Sequence, residues 1–262
     1  MTIKHADRFS LENKVALILG GSSGIGREIA LAFHDAGAAV VPVGKTVSKV
    51  AEVNVALAAR GAKQKGYCAD VTDSAELTGI VTRTIAECGR IDVLVNSQGV
   101  TILKPAESFT RADYALIIAT NLTSVFFACA EVGKHMLERG SGSIINIASV
   151  AAHRGFQMSA PYTVSKHGVL GLTRTLGAEW STRGVRVNAI SPGFFMTSLN
   201  QSKMSPLRKE MALRRTPMSR FGELEELVGA AIYLASPSAR FVTGESIVVD
   251  GGVLAAGLDG SG

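Results

Sequence analysis

Residues 15–20 read VALILG, and the chain continues Gly20-Gly21-Ser22-Ser23-Gly24-Ile25-Gly26. An unbroken apolar run of this length suits a strand buried on both faces, as in a parallel sheet. Ile25, Ile29 and Phe33 then recur at helical spacing up to Gly37. A strand, a glycine-rich turn and a helix in direct succession point to an α/β fold with a phosphate-binding loop. Glycine reaches φ angles closed to other residues, and bare backbone can approach a pyrophosphate. The helix N-terminus adds N–H donors and the positive end of its dipole. The spacing is Gly-x-x-x-Gly-x-Gly rather than the Gly-x-Gly-x-x-Gly of most dinucleotide folds. A flexible turn with chance glycines is the plain alternative, and the strand-to-helix context weighs against it.

The alternation continues along the chain. Residues 39–43 (AVVPV) read as a second strand, with Pro42 weakening it or marking a strand end. A helix over 49–60 stops at Gly61, and 64–69 give a weak third strand. Residues 74–88 predict a helix capped by Ser74, and 91–95 (IDVLV) a strand. A long helical region runs from Thr110 to Arg139 and ends at Gly140. Strands over 143–148, 185–190 and 246–249 alternate with helices over 162–182 and 223–235. Seven strands interleaved with helices imply right-handed crossovers. The expected fold is a doubly wound, Rossmann-type parallel sheet of about seven strands with helices on both faces. Ligands of such sheets sit at the carboxyl ends of the strands, near the switch in strand order. No repeat or linker divides the 262 residues, so one domain over 1–262 is expected.

Apolar residues make up 47% of the chain and charged residues 19%, which excludes a disordered chain. No apolar run reaches the ~18 residues of a membrane span. The N-terminal MTIKHADRFSLENK is polar and lacks a signal-peptide core. Cys68, Cys88 and Cys129 lie far apart and form no metal or redox pair, and His5, His34, His135 and His167 lack metal-ligand spacing. A cytoplasmic protein without a metal is expected. The net charge of +5 is mild and says little about nucleic acid. Neither a nucleic-acid nor a membrane partner is expected.

Further fragments fall in a fixed order: Asp70 after the third strand, Asn96-Ser97-Gln98-Gly99 ending the fourth, and Asn121 in the long helix. Ser149 ends the fifth strand, Tyr162-Thr163-Val164-Ser165-Lys166 opens the next helix, and Pro192-Gly193 follows the sixth strand. Together they resemble the single-domain branch of the short-chain dehydrogenase/reductase family, from about Leu11 to Gly252. The segment from Arg215 to Gly252 resembles gluconate 5-dehydrogenase-like members and also 3-oxoacyl-carrier-protein reductases. Two positions depart from the family pattern. Leu19 replaces a threonine that would brace the loop. Ser97 and Gln98 replace Asn and Ala, which puts a larger amide near the expected nucleotide pocket.

Tyr162 and Lys166, at i and i+4, share one helix face. A free tyrosine has a pKa of ~10, and a nearby ammonium would lower it. Tyr162 could then exchange a proton with an alcohol or carbonyl while a hydride moves to or from the cofactor. An ordinary aromatic–lysine pair is the bland alternative, and Ser149 with the glycine loop outweighs it. Ser149 would hold the substrate oxygen beside Tyr162, or only cap a turn. By resemblance, Asn121 helps hold a water in a proton relay behind Lys166; a plain structural hydrogen bond is the alternative. The resemblance thus implies catalytic Asn121, Ser149, Tyr162 and Lys166. It implies a nicotinamide cofactor lined by Gly20, Ser22, Ser23, Gly24, Ile25, Gly26, Lys45, Asp70, Val71, Asn96, Gly99, Tyr162, Lys166, Pro192, Gly193 and Thr197. His153 and Arg154 follow in a substrate-facing loop and take no assigned chemistry.

The second strand ends Val43-Gly44-Lys45-Thr46, with no acid to bind ribose hydroxyls and repel a 2′-phosphate. Lys45 stands where NADP-preferring relatives carry Arg, so NADP is expected over NAD, with NAD possible. Between residues 194 and 221 the resemblance places a substrate lid. Lys203, Arg208, Lys209, Arg214, Arg215 and Arg220 crowd it, and Glu210 is its one acid in sequence. Such a field would draw in an anionic substrate; a solvated basic face is the alternative. The expected activity is hydride transfer between a nicotinamide cofactor and a ketone or secondary alcohol, such as a sugar acid or polyol. A 3-oxoacyl-carrier-protein reductase and a catalytically silent dinucleotide sensor are the alternatives. The family's usual state implies a homotetramer.

Overall fold

The computed structural model describes residues 6–196 and 204–256. Its strands are β1 (Val15–Leu19), β2 (Ala39–Gly44), β3 (Tyr67–Cys68), β4 (Val93–Asn96), β5 (Gly142–Ile147), β6 (Val185–Pro192) and β7 (Ser246–Val249). They form one sheet in the order β3-β2-β1-β4-β5-β6-β7, every neighbouring pair parallel. The order reverses between β1 and β4, which creates a crevice at their carboxyl ends. Register aligns those ends: Leu19 pairs with Asn96, Asn96 with Asn146, and Ile147 with Ile190.

The helices are α1 (Gly24–Asp35), α2 (Val47–Ala58), α3 (Ser74–Cys88), α4 (Arg111–Ile118), α5 (Ser124–Arg139), α6 (Ala160–Trp180), α7 (Pro206–Arg214) and α8 (Glu225–Ala235). Alternate residues of each strand feed opposite faces. Ile18, Val95 and Ile145 pack with Ile29 and Phe33 of α1 and Leu227 and Leu234 of α8. Leu17, Leu94 and Ile144 pack with α3, α5 and α6 through Leu77, Val81, Val132, Met136 and Val169. Both faces are therefore covered, as the apolar strands require.

Local chemistry revises several boundaries. Pro42 lies inside β2 opposite Ile18, and β3 begins pairing one residue later, at Val43. Beside Pro42, the Asn54 carboxamide donates to the Gly66 carbonyl (3.2 Å) and accepts from its N–H (2.6 Å). A side-chain amide thus replaces the ladder that proline cannot donate to. Asp73, not Ser74, caps α3, accepting from the N–H groups of Ala75 and Glu76. The expected single helix from Thr110 is broken by a π-helical turn at Ala119–Thr123. The stretch Arg111–Arg139 as a whole is long and apolar enough, at mean hydropathy 1.7, to match a membrane span by length and composition. Here Val125, Cys129, Val132 and Met136 bury one side of it against the sheet. Tyr114, Leu116, Phe126 and Phe127 remain exposed. Within the basic segment the chain forms α7, which the sequence reading did not place.

Candidate active site

The glycine loop joins β1 to α1 at the switch point. Gly20 and Gly24 take φ of +75° and +53°. A Cβ at Gly20 would stand 2.6 Å from the Gln98 nitrogen, and one at Gly26 would collide with the Gly20 carbonyl. The buried Ser22 hydroxyl fills the space that a Cβ at Gly44 would need. Ser23 occupies the N-cap of α1 yet makes no side-chain cap bond, and the first turn, which contains Ile25, carries no acid. The first-turn N–H groups therefore lack a side-chain partner. A side-chain-free cradle ending in uncapped donors fits a pyrophosphate.

At the next strand ends, the Lys45 ammonium meets the Asp70 carboxylate at 2.5 Å. That contact, with the Thr72 hydroxyl, holds the Asp70 carboxyl down at about 2, and Asp70 in turn raises the Lys45 pKa. The pair is largely exposed on its Lys45 side and so contributes little stability. Val71 follows, buried. Pro192 closes β6, and the Gly193 N–H donates to the Val249 carbonyl (2.9 Å), where a Cβ on Gly193 would press on Asp250. Thr197 lies outside the described residues, as does Lys203 of the basic segment.

Of the two readings open for Asn96, lining the nucleotide or shaping the strand end, its side-chain geometry supports the second. It is 1% exposed, and its Nδ2 donates to Asn146 Oδ1 (2.9 Å) beneath α5. Strand alternation explains this, since Asn96 shares the inward face of Leu94. Gln98 likewise turns inward, its Nε2 donating to Ser124 Oγ (3.0 Å) instead of entering the nucleotide pocket. Gly99 remains open; a Cβ there would lie 3.6 Å from Asn121 Oδ1 and 3.7 Å from Lys166 Nζ.

Asn121, Ser149, Tyr162 and Lys166 converge around that opening. Asn121 is fully buried in the π turn, a feature frequent at functional sites. Its Oδ1 accepts from the Val100 N–H (2.8 Å), and its Nδ2 donates to the Val100 carbonyl (2.9 Å) and to Ser165 Oγ (3.2 Å). Both amide protons are used, so the side chain ties the β4 loop to α6 and offers no N–H to a water. Ser149 follows β5 in an extended conformation; its Oγ accepts from the Ala151 N–H (3.1 Å), and its hydroxyl bonds the Tyr162 phenol.

Lys166 is 4% exposed and donates from Nζ to the Ile147 carbonyl (2.7 Å). Among the described residues it has no carboxylate partner, and burial pushes its pKa down to about 8. Its Nζ stands 5.7 Å from the Tyr162 ring centroid. Burial raises the Tyr162 phenol above its ordinary range, while the Ser149 hydroxyl pulls the other way. The expected lowering of the phenol by Lys166 is thus absent in the protein alone. Burial outweighs an ammonium that is itself half-discharged near pH 8 and aimed at a backbone carbonyl. Here Tyr162 holds a proton ready to give, and Ser149 can orient an oxygen beside it.

The loop beyond Ser149 is tied across the site. His153 Nε2 meets Ser191 Oγ (2.9 Å), Arg154 donates to the Val253 carbonyl (3.2 Å), and the Phe156 ring meets Phe194 edge-on at 6.2 Å. The basic segment is less bare than its sequence. Arg214 pairs with Glu210 (2.8 Å), and Arg220 grips Glu226 of α8 with both nitrogens (2.6 and 2.7 Å). Glu226 lies beyond the stretch over which the charge was counted.

A family model described as enoyl-(acyl carrier protein) reductase matches residues 20–254. The D-threitol dehydrogenase of Mycolicibacterium smegmatis is 39% identical over 93% of this chain and 94% of its own. A 3-oxoacyl-[acyl-carrier-protein] reductase of Thermotoga maritima is 37% identical over 93% of this chain and 99% of its own. The crystal structure of a gluconate 5-dehydrogenase from Burkholderia cenocepacia, in complex with NADP and tartrate, superposes with a TM-score of 0.92. It is 36% identical, covering 97% of this chain and 100% of that one.

Proposed function

The chain belongs to the short-chain dehydrogenase/reductase family, and from that premise we propose that it interconverts a secondary alcohol and a ketone of a sugar acid or polyol, preferring NADP. It is an NAD(P)-dependent oxidoreductase. The observation that carries the reading is the convergence of Ser149, Tyr162 and Lys166 beside the glycine loop at the β1/β4 switch.

Gly20, Ser22, Ser23, Gly24, Ile25 and Gly26 would hold the pyrophosphate, with Asp70, Val71 and Gly99 along the adenosine side and Pro192, Gly193 and Thr197 by the nicotinamide. Asn96 serves by shaping the strand end. When bound, the nicotinamide supplies or accepts the hydride. Ser149 turns its hydroxyl proton from the Tyr162 phenol to the substrate oxygen and fixes that oxygen against Tyr162. Tyr162 gives its proton to the carbonyl oxygen in reduction and takes one from the hydroxyl in oxidation. Lys166, anchored on Ile147, keeps positive charge behind the phenol below about pH 8. Asn121 fixes the β4 loop and α6 relative to each other.

Lys45 is the residue proposed to read the 2′-phosphate, exchanging its Asp70 partner for a more highly charged one. The expected kcat/KM favours NADPH over NADH. Lys45→Glu is expected to move that ratio towards NADH by at least about tenfold, the worth of ~1.4 kcal/mol. Steady-state kinetics with both cofactors checks this, and equal or better use of NADH by the wild type contradicts it.

The carrier-protein reductase reading is supported by the Thermotoga maritima relative and the family description. The silent-sensor reading is disfavoured, because all four catalytic side chains are present and clustered. The chain is proposed to act as one catalytic domain in a cytoplasmic homotetramer. Exposed Tyr114, Leu116, Phe126, Phe127 and Val164 on α4, α5 and α6 supply apolar area for subunit contacts. Light scattering at micromolar concentration is expected to give four times the chain mass; a stable monomer contradicts this.

A further inference from the structure

Gln98 is 8% exposed, one position before the Gly99 opening. Its Nε2 donates to Ser124 Oγ at 3.0 Å, and Ser124 Oγ donates to the Thr120 carbonyl at 2.7 Å. Ser124 has one hydroxyl proton, and Thr120 takes it, so Ser124 must accept from Gln98. That fixes the amide orientation and leaves Gln98 Oε1 buried without a partner. An orphaned buried acceptor is costly, and the bond to Ser124 with the surrounding packing holds the side chain in place against that cost.

Of the residues gripped by this chain, Thr120 lies inside the π turn and Ser124 directly after it. Thr120 precedes Asn121 and Ser124 follows Thr123. A π turn replaces i→i−4 bonds with a wider, weaker pattern and needs outside support. On its other side Asn121 reaches Val100 and Ser165, and Ser165 Oγ donates to the Tyr162 carbonyl (2.7 Å). Two sets of hydrogen bonds, joined by the Thr120–Asn121 peptide bond, therefore link Gln98 through the π turn to the backbone of Tyr162.

We propose that Gln98 is a positioning residue of the catalytic centre, clamping the π turn so that Asn121 holds the β4 loop against the Tyr162–Lys166 helix. This rests on the catalytic reading above. Among the described residues the one side-chain hydrogen bond of Gln98 goes to Ser124, and its backbone nitrogen lies 2.6 Å from where a Cβ on Gly20 would stand.

Amide hydrogen exchange on the full chain tests the clamp without reference to activity. Gln98→Ala and Ser124→Ala are each expected to speed exchange over residues 119–124 by about tenfold or more, as a locally opened segment does. Protection of β5 should stay at the wild-type level. The double variant should exchange no faster than Ser124→Ala, which already removes the Gln98 bond together with the Ser124 bond to Thr120. Gln98→Met fills the space without a donor and should resemble Gln98→Ala. Kinetics supply the second arm, with D-gluconate and NADP as the probe: kcat falls about tenfold while the KM for NADP stays within about twofold, the split expected when a transition-state arrangement is loosened. Wild-type exchange in Gln98→Ala, or rescue by Gln98→Met, overturns the proposal. Faster exchange with unchanged kcat also overturns it, since the clamp would then serve stability alone. A wild type that never turns over the probe, with faster exchange in the variants, counts against the catalytic reading and leaves the clamp standing.

Discussion

Tyr162→Phe is expected to lower turnover by roughly 10²–10⁴-fold, the contribution of a positioned general acid or base. The substitution removes only the hydroxyl. The ring stays in its half-buried place on α6, 5.7 Å from Lys166 Nζ. The Gly20–Gly26 loop is on another element, so affinity for NADPH should change little. Ser149 loses the phenol hydroxyl as a partner, yet its bond from the Ala151 N–H remains. Steady-state kinetics paired with NADPH fluorescence titration checks both halves. Near wild-type turnover would remove Tyr162 from the mechanism. Lost cofactor binding would make it a structural residue instead.

Lys166→Met is expected to abolish most turnover, by about a hundredfold or more, and to change how stability depends on pH. The Lys166 pKa falls from 10.5 to about 8 in the fold through burial. Between those values the unfolded chain holds a proton that the folded chain has released. Stability then rises with pH. Below about pH 8 both states are protonated, and the fold carries the buried ammonium at its full cost. A shift of this size corresponds to about 3 kcal/mol as an upper figure. Met cannot titrate. The stability of Lys166→Met relative to the wild type should therefore be highest at neutral pH and decline steadily between about pH 8 and 10.5. The lost bond to the Ile147 carbonyl lowers the variant at every pH and does not alter that slope. Denaturant melts across this range measure it; a flat difference would mean that Lys166 is not discharged by burial.

The strands were the most legible part of the sequence. A strand covered on both faces is mostly apolar; VALIL announces itself that way, and SIINI does so through its three isoleucines. The i, i+4 spacing of Tyr162 and Lys166 needed only an unbroken helix, which α6 supplies. The π turn was not legible, because one wide turn scarcely disturbs the apolar periodicity on either side. Asp73 and Ser74 are both good caps, and the choice rests on which residue leaves the helix first. The inward turn of Asn96 was readable in principle from its alternation with Leu94. Pairings across loops were not: Lys45 meets Asp70 from a different strand end, and Arg220 meets Glu226 only through the turn that enters α8. The direction of the Tyr162 shift was missed for a related reason. Spacing places an ammonium near the phenol, while only the packed structure shows how far burial depletes the charge of both.

The most direct test of the proposed activity is NADPH formation from NADP, followed by near-ultraviolet absorbance. D-gluconate, D-threitol and a 3-hydroxyacyl thioester are compared side by side, with Tyr162→Phe as the control. The expected result is NADPH formation from the sugar acid or the polyol at a higher kcat/KM than from the thioester, abolished in Tyr162→Phe. A higher kcat/KM for the thioester, or equal rates in the control, would contradict the account.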